Sequence, residues 1–223
     1  MSDLFNDLPR GLLNDLPDSN LADQNPVTLD LRHSETLLNG DLLYFPSAFP
    51  NADALFKRLL DEVHWESGEV ILFGKRHKEP RLKSWQGEPG LSYQYSGIEQ
   101  TTRPLTSTTQ KLRHQLNSHF DNAFNSVLCN LYRDGQDSMG WHADDEPELG
   151  MNPVIASITL GSERDFCLRQ KGSTRQHGKM KLAHGSLLLM QAGMQSRWQH
   201  SVPKRTGDYG PRINLTYRHL IAR

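Results

Sequence analysis

Two imidazoles and a carboxylate, His142, Asp144 and His200, could hold a metal ion with open positions, and two guanidinium groups, Arg212 and Arg218, could hold a dicarboxylate. Side chains alternate along an extended chain, so His142 and Asp144 of Trp141-His142-Ala143-Asp144-Asp145-Glu146 project to one side, within reach of a single ion. His200, in Trp198-Gln199-His200-Ser201-Val202-Pro203, supplies a third ligand from a distant strand. Two His and one carboxylate on one face of a metal leave the opposite positions open, as in non-haem Fe(II) oxygenases. Alone, a His-x-Asp pair in a chain with 10 His is a weak signal, and chance is its competing reading. The C-terminal run changes this. Arg212, Asn214, Thr216 and Arg218 alternate with Ile213, Leu215, Tyr217 and His219, so one strand face carries two guanidinium groups and an amide. Arg is seldom buried without a partner, and its planar fork matches a carboxylate. Two inward Arg facing no acidic strand imply a bound organic diacid, unless the strand is exposed and carries a salt-bridge ladder. Asn130 and Tyr132 show the same two-residue spacing.

The elements that must hold these residues read as α+β. Residues 27–49 have a strand-like pattern, with Leu42-Leu43-Tyr44-Phe45 ended by Pro46 and Pro50. Asn51 then suits an N-cap, and Leu55, Phe56, Leu59, Leu60 and Val63 recur at helical spacing. A second helix is expected from about Arg103 to Asn122, on Leu112, Leu116 and Phe120. From Ser126 onward short β runs follow one another: Val127 to Tyr132, Val154 to Leu160, Phe166 to Leu168, Gly185 to Gln191 and Arg212 to Leu220. Closely spaced strands without intervening helices argue for an antiparallel barrel or jelly roll, buttressed on one face by the two helices. The polar stretch from Arg169 to Lys181 reads as a flexible loop that, with Lys204 and Arg205, could add phosphate contacts.

A chain of 223 residues, 36% hydrophobic and 23% charged, suits one domain plus a tail. Its net charge of −1 advertises no polyanionic partner, so any nucleic-acid contact must come from local patches. Cys129 and Cys167 sit in apolar runs, which suits buried free thiols. No apolar stretch approaches the ~20 residues that span a bilayer, and the N-terminus has no secretion-signal pattern. No membrane partner is expected, and the reading is a cytoplasmic monomer. Residues 1–27 read as a flexible extension with a short repeat, Leu4-Phe5-Asn6-Asp7-Leu8-Pro9 and Leu12-Leu13-Asn14-Asp15-Leu16-Pro17. It either packs loosely on the domain or docks on a protein partner.

Asn130-Leu131-Tyr132, Asp134-Gly135, His142-Ala143-Asp144-Asp145-Glu146, His184-Gly185-Ser186, Trp198-Gln199-His200-Ser201 and Pro211-Arg212-Ile213-Asn214-Leu215-Thr216-Tyr217-Arg218 together resemble the AlkB family of Fe(II)- and 2-oxoglutarate-dependent nucleic-acid demethylases, in that family's order and approximate spacing. The resemblance covers roughly residues 65 to 220. It implies a double-stranded β-helix over 28–223, with a nucleotide-recognition region at 65–100. His142, Asp144 and His200 would be the iron ligands, with 2-oxoglutarate and O2 as co-substrates. Arg212, helped by Tyr132, would pair with the distal carboxylate of 2-oxoglutarate, and Arg218, Asn130 and Asn214 would serve the rest of it.

Leu72-Phe73-Gly74 is followed by Lys75, Arg76, His77, Lys78, Arg81 and Lys83, the densest basic stretch in the chain. Basic groups beside an exposed aromatic suit phosphate contacts plus a wedge in a base stack, although Phe73 could instead turn into the core. By resemblance to homologues that work on duplex DNA, Phe73 and Gly74 fall on a hairpin that fills the gap left by a flipped base. Pro80-Arg81 falls on a following Pro-Arg pair, and Tyr93 and Tyr95 on a strand lining the base pocket. Tyr95 could stack on the base. Asp145 and Glu146 either read the exocyclic amine of a damaged adenine or cytosine or organise the turn after Asp144. The expected activity is removal of methyl groups from 1-methyladenine and 3-methylcytosine in methylated DNA, duplex being favoured because of Phe73. The alternatives are an oxygenase acting on RNA or a protein side chain, and a DNA-binding module without turnover. A zinc hydrolase on the same triad leaves Arg212 and Arg218 unexplained.

Overall fold

The computed structural model describes residues 27–72, 75–95 and 98–221. The N-terminal repeat and the Phe73-Gly74 pair lie outside the described residues. In chain order the elements are β1 (Glu35–Leu37), β2 (Leu42–Phe45), α1 (Ala52–Glu62), β3 (Glu66–Leu72), β4 (Lys75–Gly87), β5 (Ser92–Tyr95), β6 (Ile98–Thr101), α2 (Ser107–Phe120), β7 (Ser126–Tyr132), β8 (Met139–His142), β9 (Ile155–Gly161), β10 (Arg164–Gln170), β11 (Gly178–Leu182), β12 (Ser186–Met190), α3 (Met194–Arg197), β13 (Trp198–Val202) and β14 (Arg212–Arg218). An eight-stranded sheet runs β1-β2-β12-β9-β14-β7-β4-β3 and a four-stranded sheet β11-β10-β13-β8. From β7 to β14 the chain passes back and forth between the sheets, keeping two successive strands, β10 and β11, in the smaller one. This is a jelly roll, and every ladder within the two sheets is antiparallel.

Alternation along the larger sheet's strands divides it into two faces. Val127, Cys129 and Leu131 of β7, Ala156, Ile158 and Leu160 of β9, Leu187 and Leu189 of β12, and Ile213, Leu215 and Tyr217 of β14 form one core with the apolar stripes of α1 and α2. The helices therefore cover the outer face. The inner face turns Leu188 and Met190 toward Phe166 and Leu168 of the smaller sheet, forming a second apolar cluster. Glu62, at the end of α1, accepts from the Thr108 backbone N–H (2.9 Å) and hydroxyl (2.7 Å), so a carboxylate meets the positive start of α2.

Several boundaries differ from the sequence reading. Helix α2 starts at Ser107, not near Arg103, because Pro104 holds the preceding residue extended, and Arg103 bonds to the Trp85 carbonyl at 2.8 Å. Thr106 is the N-cap, accepting from the Thr109 N–H. Asn51 stands at the N-cap of α1 without a side-chain cap hydrogen bond. Within the stretch taken as a loop, Gly178–Leu182 forms β11, paired to β10 from Leu168↔Gly178 to Arg164↔Leu182. Strands β3 and β4 flank the place where the resemblance implied a hairpin, though residue periodicity had not marked either as a strand. Cys129 and Cys167 are buried free thiols, and no helix among the described residues is long and apolar enough to cross a membrane.

Candidate metal centre and co-substrate pocket

His142 ends β8, and its register partner is His200 on β13. The metal-facing carboxylate comes from the loop that follows: Asp144 lies two residues past the strand, its backbone N–H donating to Gln195 Oε1 (2.9 Å). The structure thus replaces the expected extended segment with a strand end and a fixed bend. One potential ligand atom from each of His142, Asp144 and His200 lies within 4.8 Å of the others. His142 Nδ1 donates to the Gly140 carbonyl (2.9 Å), which fixes its tautomer and leaves Nε2 for a metal. The His200 ring stacks on Phe166 at 5.1 Å between centroids and packs against the His142 ring at 4.2 Å.

Burial alone would raise the Asp144 carboxyl, but the charge of Arg218, the two His rings and the Arg218 hydrogen bond outweigh it, holding the group down at about 2. Arg218 Nη2 donates to Asp144 Oδ1 at 2.7 Å while its guanidinium lies 5.5 Å over the Trp85 ring. Burial, then repulsion from His142, lowers His200 to about 3. Near neutral pH the triad therefore presents an anionic carboxylate and, at His200, a neutral imidazole, the protonation states a divalent cation requires.

The pocket between the sheets is lined by Asn130, Tyr132, His142, Asp144, His200, Arg212, Asn214 and Arg218, together with apolar residues such as Leu128, Phe166 and Met190. Arg212, 1% exposed, donates from Nη2 to Thr159 Oγ1 (3.0 Å) and lies 5.0 Å over the Tyr132 ring. Its Nε and Nη1 are buried without an acceptor. Asn214 is spent within the wall: Nδ2 donates to Ser157 Oγ (2.8 Å) and the Ile158 carbonyl (3.0 Å), and Oδ1 accepts from Thr216 (3.1 Å). Of the two guanidinium groups on β14, Arg218 is bonded to a metal ligand, and Arg212, farther along the pocket wall, meets no carboxylate of the chain. Asp144 Oδ2 and His200 Nδ1 are likewise buried without hydrogen-bond partners. A divalent cation at the triad and a carboxylate at Arg212 fit these open atoms.

The remaining expected residues scatter. Asp145 is exposed and bonded to Lys171; Glu146 is half-buried and stands at the N-cap position of the short Pro147–Leu149 turn without a side-chain cap hydrogen bond. Arg81 is buried, with Nε bonded to Asn130 Oδ1 at 2.7 Å. Tyr93 and Tyr95 lie on β5, paired with Gln100 and Ile98 of β6. Sequence reasoning missed Gln195, Phe166, Thr159 and Trp85, which hold the functional groups in place. Phe166 and Thr159 carried a signal, since both fall in runs from which a β-strand was expected.

Residues 41–218 match the family model described as the 2OG-Fe(II) oxygenase superfamily. The chain is similar to alpha-ketoglutarate-dependent dioxygenase alkB homolog 3 of Bos taurus, 40% identical over 176 residues, covering 75% of this chain and 61% of that protein. It is 38% identical over 180 residues to DNA oxidative demethylase ALKBH2 of Bos taurus, covering 76% of this chain and 65% of the relative. The chain thus spans under two thirds of the length of either relative. Among solved structures, that of OsALKBH1 superposes with a TM-score of 0.55 at 12% identity, over 86% of this chain and 99% of that one, a likeness of fold. The matched span contains the whole His142, Asp144, His200 and Arg212 constellation, and the chain belongs to the AlkB family of 2-oxoglutarate- and Fe(II)-dependent oxygenases.

Proposed function

We propose that the chain is an oxidative demethylase of alkylated DNA, acting on 1-methyladenine and 3-methylcytosine and favouring duplex substrate, as a monomer in the cytoplasm. The observation that carries this reading is the His142, Asp144 and His200 triad opening onto a wall where buried Arg212 keeps two donors unmatched. When bound, Fe(II) with O2 and 2-oxoglutarate supplies the oxidant that hydroxylates the methyl group, 2-oxoglutarate leaving as succinate and CO2. The hydroxymethyl base then releases formaldehyde.

The chain's own residues bind and orient. Arg212 clamps the distal carboxylate of the co-substrate against Tyr132, Arg218 keeps Asp144 ionised, and Phe166 holds the plane of His200. A methyl on adenine N1 or cytosine N3 makes the base cationic, which the carboxylates of Asp145 and Glu146 beside the triad favour. On the nucleic-acid side, β3 and β4 pair as far as Leu72↔Lys75, and in sequence Phe73 and Gly74 fall between them, followed by the basic stretch. The name of one relative, DNA oxidative demethylase, supports DNA as the polymer.

The test is to incubate the full chain with methylated duplex and single-stranded oligonucleotides, with and without 2-oxoglutarate, following formaldehyde and base mass. Formaldehyde release matched by loss of the methyl mass is expected, only with 2-oxoglutarate present. Intact methylated bases throughout would remove the reading, and tight DNA binding without turnover would replace it with a binding module.

A further inference from the structure

Glu79, Arg81, Lys83 and Trp85 alternate onto one face of β4, and the first three are charged yet only 3%, 3% and 5% exposed. Lys83 Nζ lies 3.2 Å from Glu79 Oε2, and Arg81 Nη2 lies 3.4 Å from Glu79 Oε1. Buried charges are costly unless they are paired and well bonded, and the chain is shaped to accept these. A Cβ on Gly68 would stand 2.1 Å from Glu79 Oε2 and 2.5 Å from Lys83 Cε, at the place where β3 slips register against β4 between Ser67 and Glu69. A side chain at Gly68 would push the Glu79 carboxylate and the end of Lys83 from these positions.

The cluster leads to the pocket. Arg81 Nε donates to Asn130 Oδ1 at 2.7 Å, and Asn130 lines the cavity with Arg212. A guanidinium can only donate, so this bond fixes the Asn130 carbonyl toward Arg81 and keeps its NH2 free of that contact, on a residue that lines the cavity. Beside it the Pro80 carbonyl accepts from the Ser138 N–H (2.9 Å), tying the same stretch of β4 to the residue before β8.

We infer that the Glu79–Arg81 pair, seated by Gly68, is a positioning device for Asn130, turning its amide donor toward a carboxylate of the bound co-substrate. The inference rests on the 2-oxoglutarate reading above. It makes Arg81 a support of the co-substrate wall and not a contact of the methylated base.

The experiment uses full-length protein loaded with Mn(II), so that no turnover intervenes, and measures 2-oxoglutarate binding calorimetrically after the Mn(II) affinity itself. Arg81→Gln and Glu79→Gln should each raise the 2-oxoglutarate Kd roughly tenfold while leaving Mn(II) affinity unchanged. Asn130→Ala should do the same, and the Arg81→Gln/Asn130→Ala double variant should bind no more weakly than Asn130→Ala alone. Glu79→Gln leaves two buried cations and could fail to fold, whereas Arg81→Gln retains the Glu79–Lys83 pair and carries the test without it. An unchanged 2-oxoglutarate Kd in Arg81→Gln, or full additivity in the double variant, overturns the inference. So does a loss in Arg81→Gln confined to methylated oligonucleotide binding. If the unaltered chain fails to bind 2-oxoglutarate while holding Mn(II), the functional reading itself falls.

Discussion

Arg212 is a cation held away from water with two of its donors unmatched, a state whose cost a bound carboxylate removes. Lysine at this position would keep the charge but lose the planar fork, so Arg212→Lys should raise the KM for 2-oxoglutarate by roughly 10–100-fold with a smaller change in kcat. Steady-state kinetics across co-substrate concentrations checks this, and an unchanged KM would place the carboxylate elsewhere. His200 makes a prediction about acid. Its imidazole is lowered from 6.5 to about 3, chiefly by burial. Below pH 6.5 the unfolded chain gains a proton there that the folded chain refuses, so stability is complete above that pH and lost progressively toward pH 3. Asp144, held at about 2 against 3.8, adds to the loss only in stronger acid. For metal-free protein the loss between pH 7 and 5 is about 2 kcal/mol, or ~4–8 °C in Tm. Thermal melts in chelator should show it, and His200→Gln should flatten the slope; an equal slope in that variant would show the acid sensitivity to lie elsewhere.

Strand β14 was legible because its information is local: period-2 alternation separates Arg212, Asn214, Thr216 and Arg218 from Ile213, Leu215 and Tyr217 without knowledge of any other strand. What alternation could not tell was the partner of each Arg. Arg218 meets Asp144, 74 residues away, and that pairing depends on how the two sheets face each other. Strand β4 was illegible for the opposite reason. Arg81 and Lys83 read as part of a basic stretch suited to phosphate contacts, and only pairing with β7 and the register slip at Gly68 bury them beside Glu79. Arg164 of β10 was likewise passed over, yet it is 2% exposed and donates to the carbonyls of Asp134, Gly135, Asp137 and Pro203, so that one side chain fastens the segment after β7 to the residue after β13. Methionine fills similar space without a donor and leaves those carbonyls unmatched. Arg164→Met should therefore cost about 3–5 kcal/mol, measured by urea unfolding with an unchanged m-value. A cost below about 1 kcal/mol would mean that water replaces the guanidinium readily.

At the scale of the whole molecule, a net charge of −1 gives no long-range attraction to a polyanion, so recognition of nucleic acid must rest on local features. The β3–β4 hairpin concentrates them, with Lys75, Arg76, His77 and Lys78 following Phe73 and Gly74 in sequence. Phosphate contacts from these groups are open to duplex and single strand alike, because both present backbone phosphates. Strand preference needs a term that exists only in a duplex, namely the cost of leaving a gap in the stack when the damaged base is drawn out. That cost is a few kcal/mol, and an aromatic side chain in the gap offsets part of it. Phe73→Ala should therefore lower kcat/KM on methylated duplex by about tenfold or more, while activity on the same lesion in a single strand stays within about twofold. Parallel assays on matched oligonucleotides at fixed salt decide the matter: an equal fall on both substrates, or none on either, means that Phe73 is no wedge and that duplex preference must be sought in residues other than this hairpin.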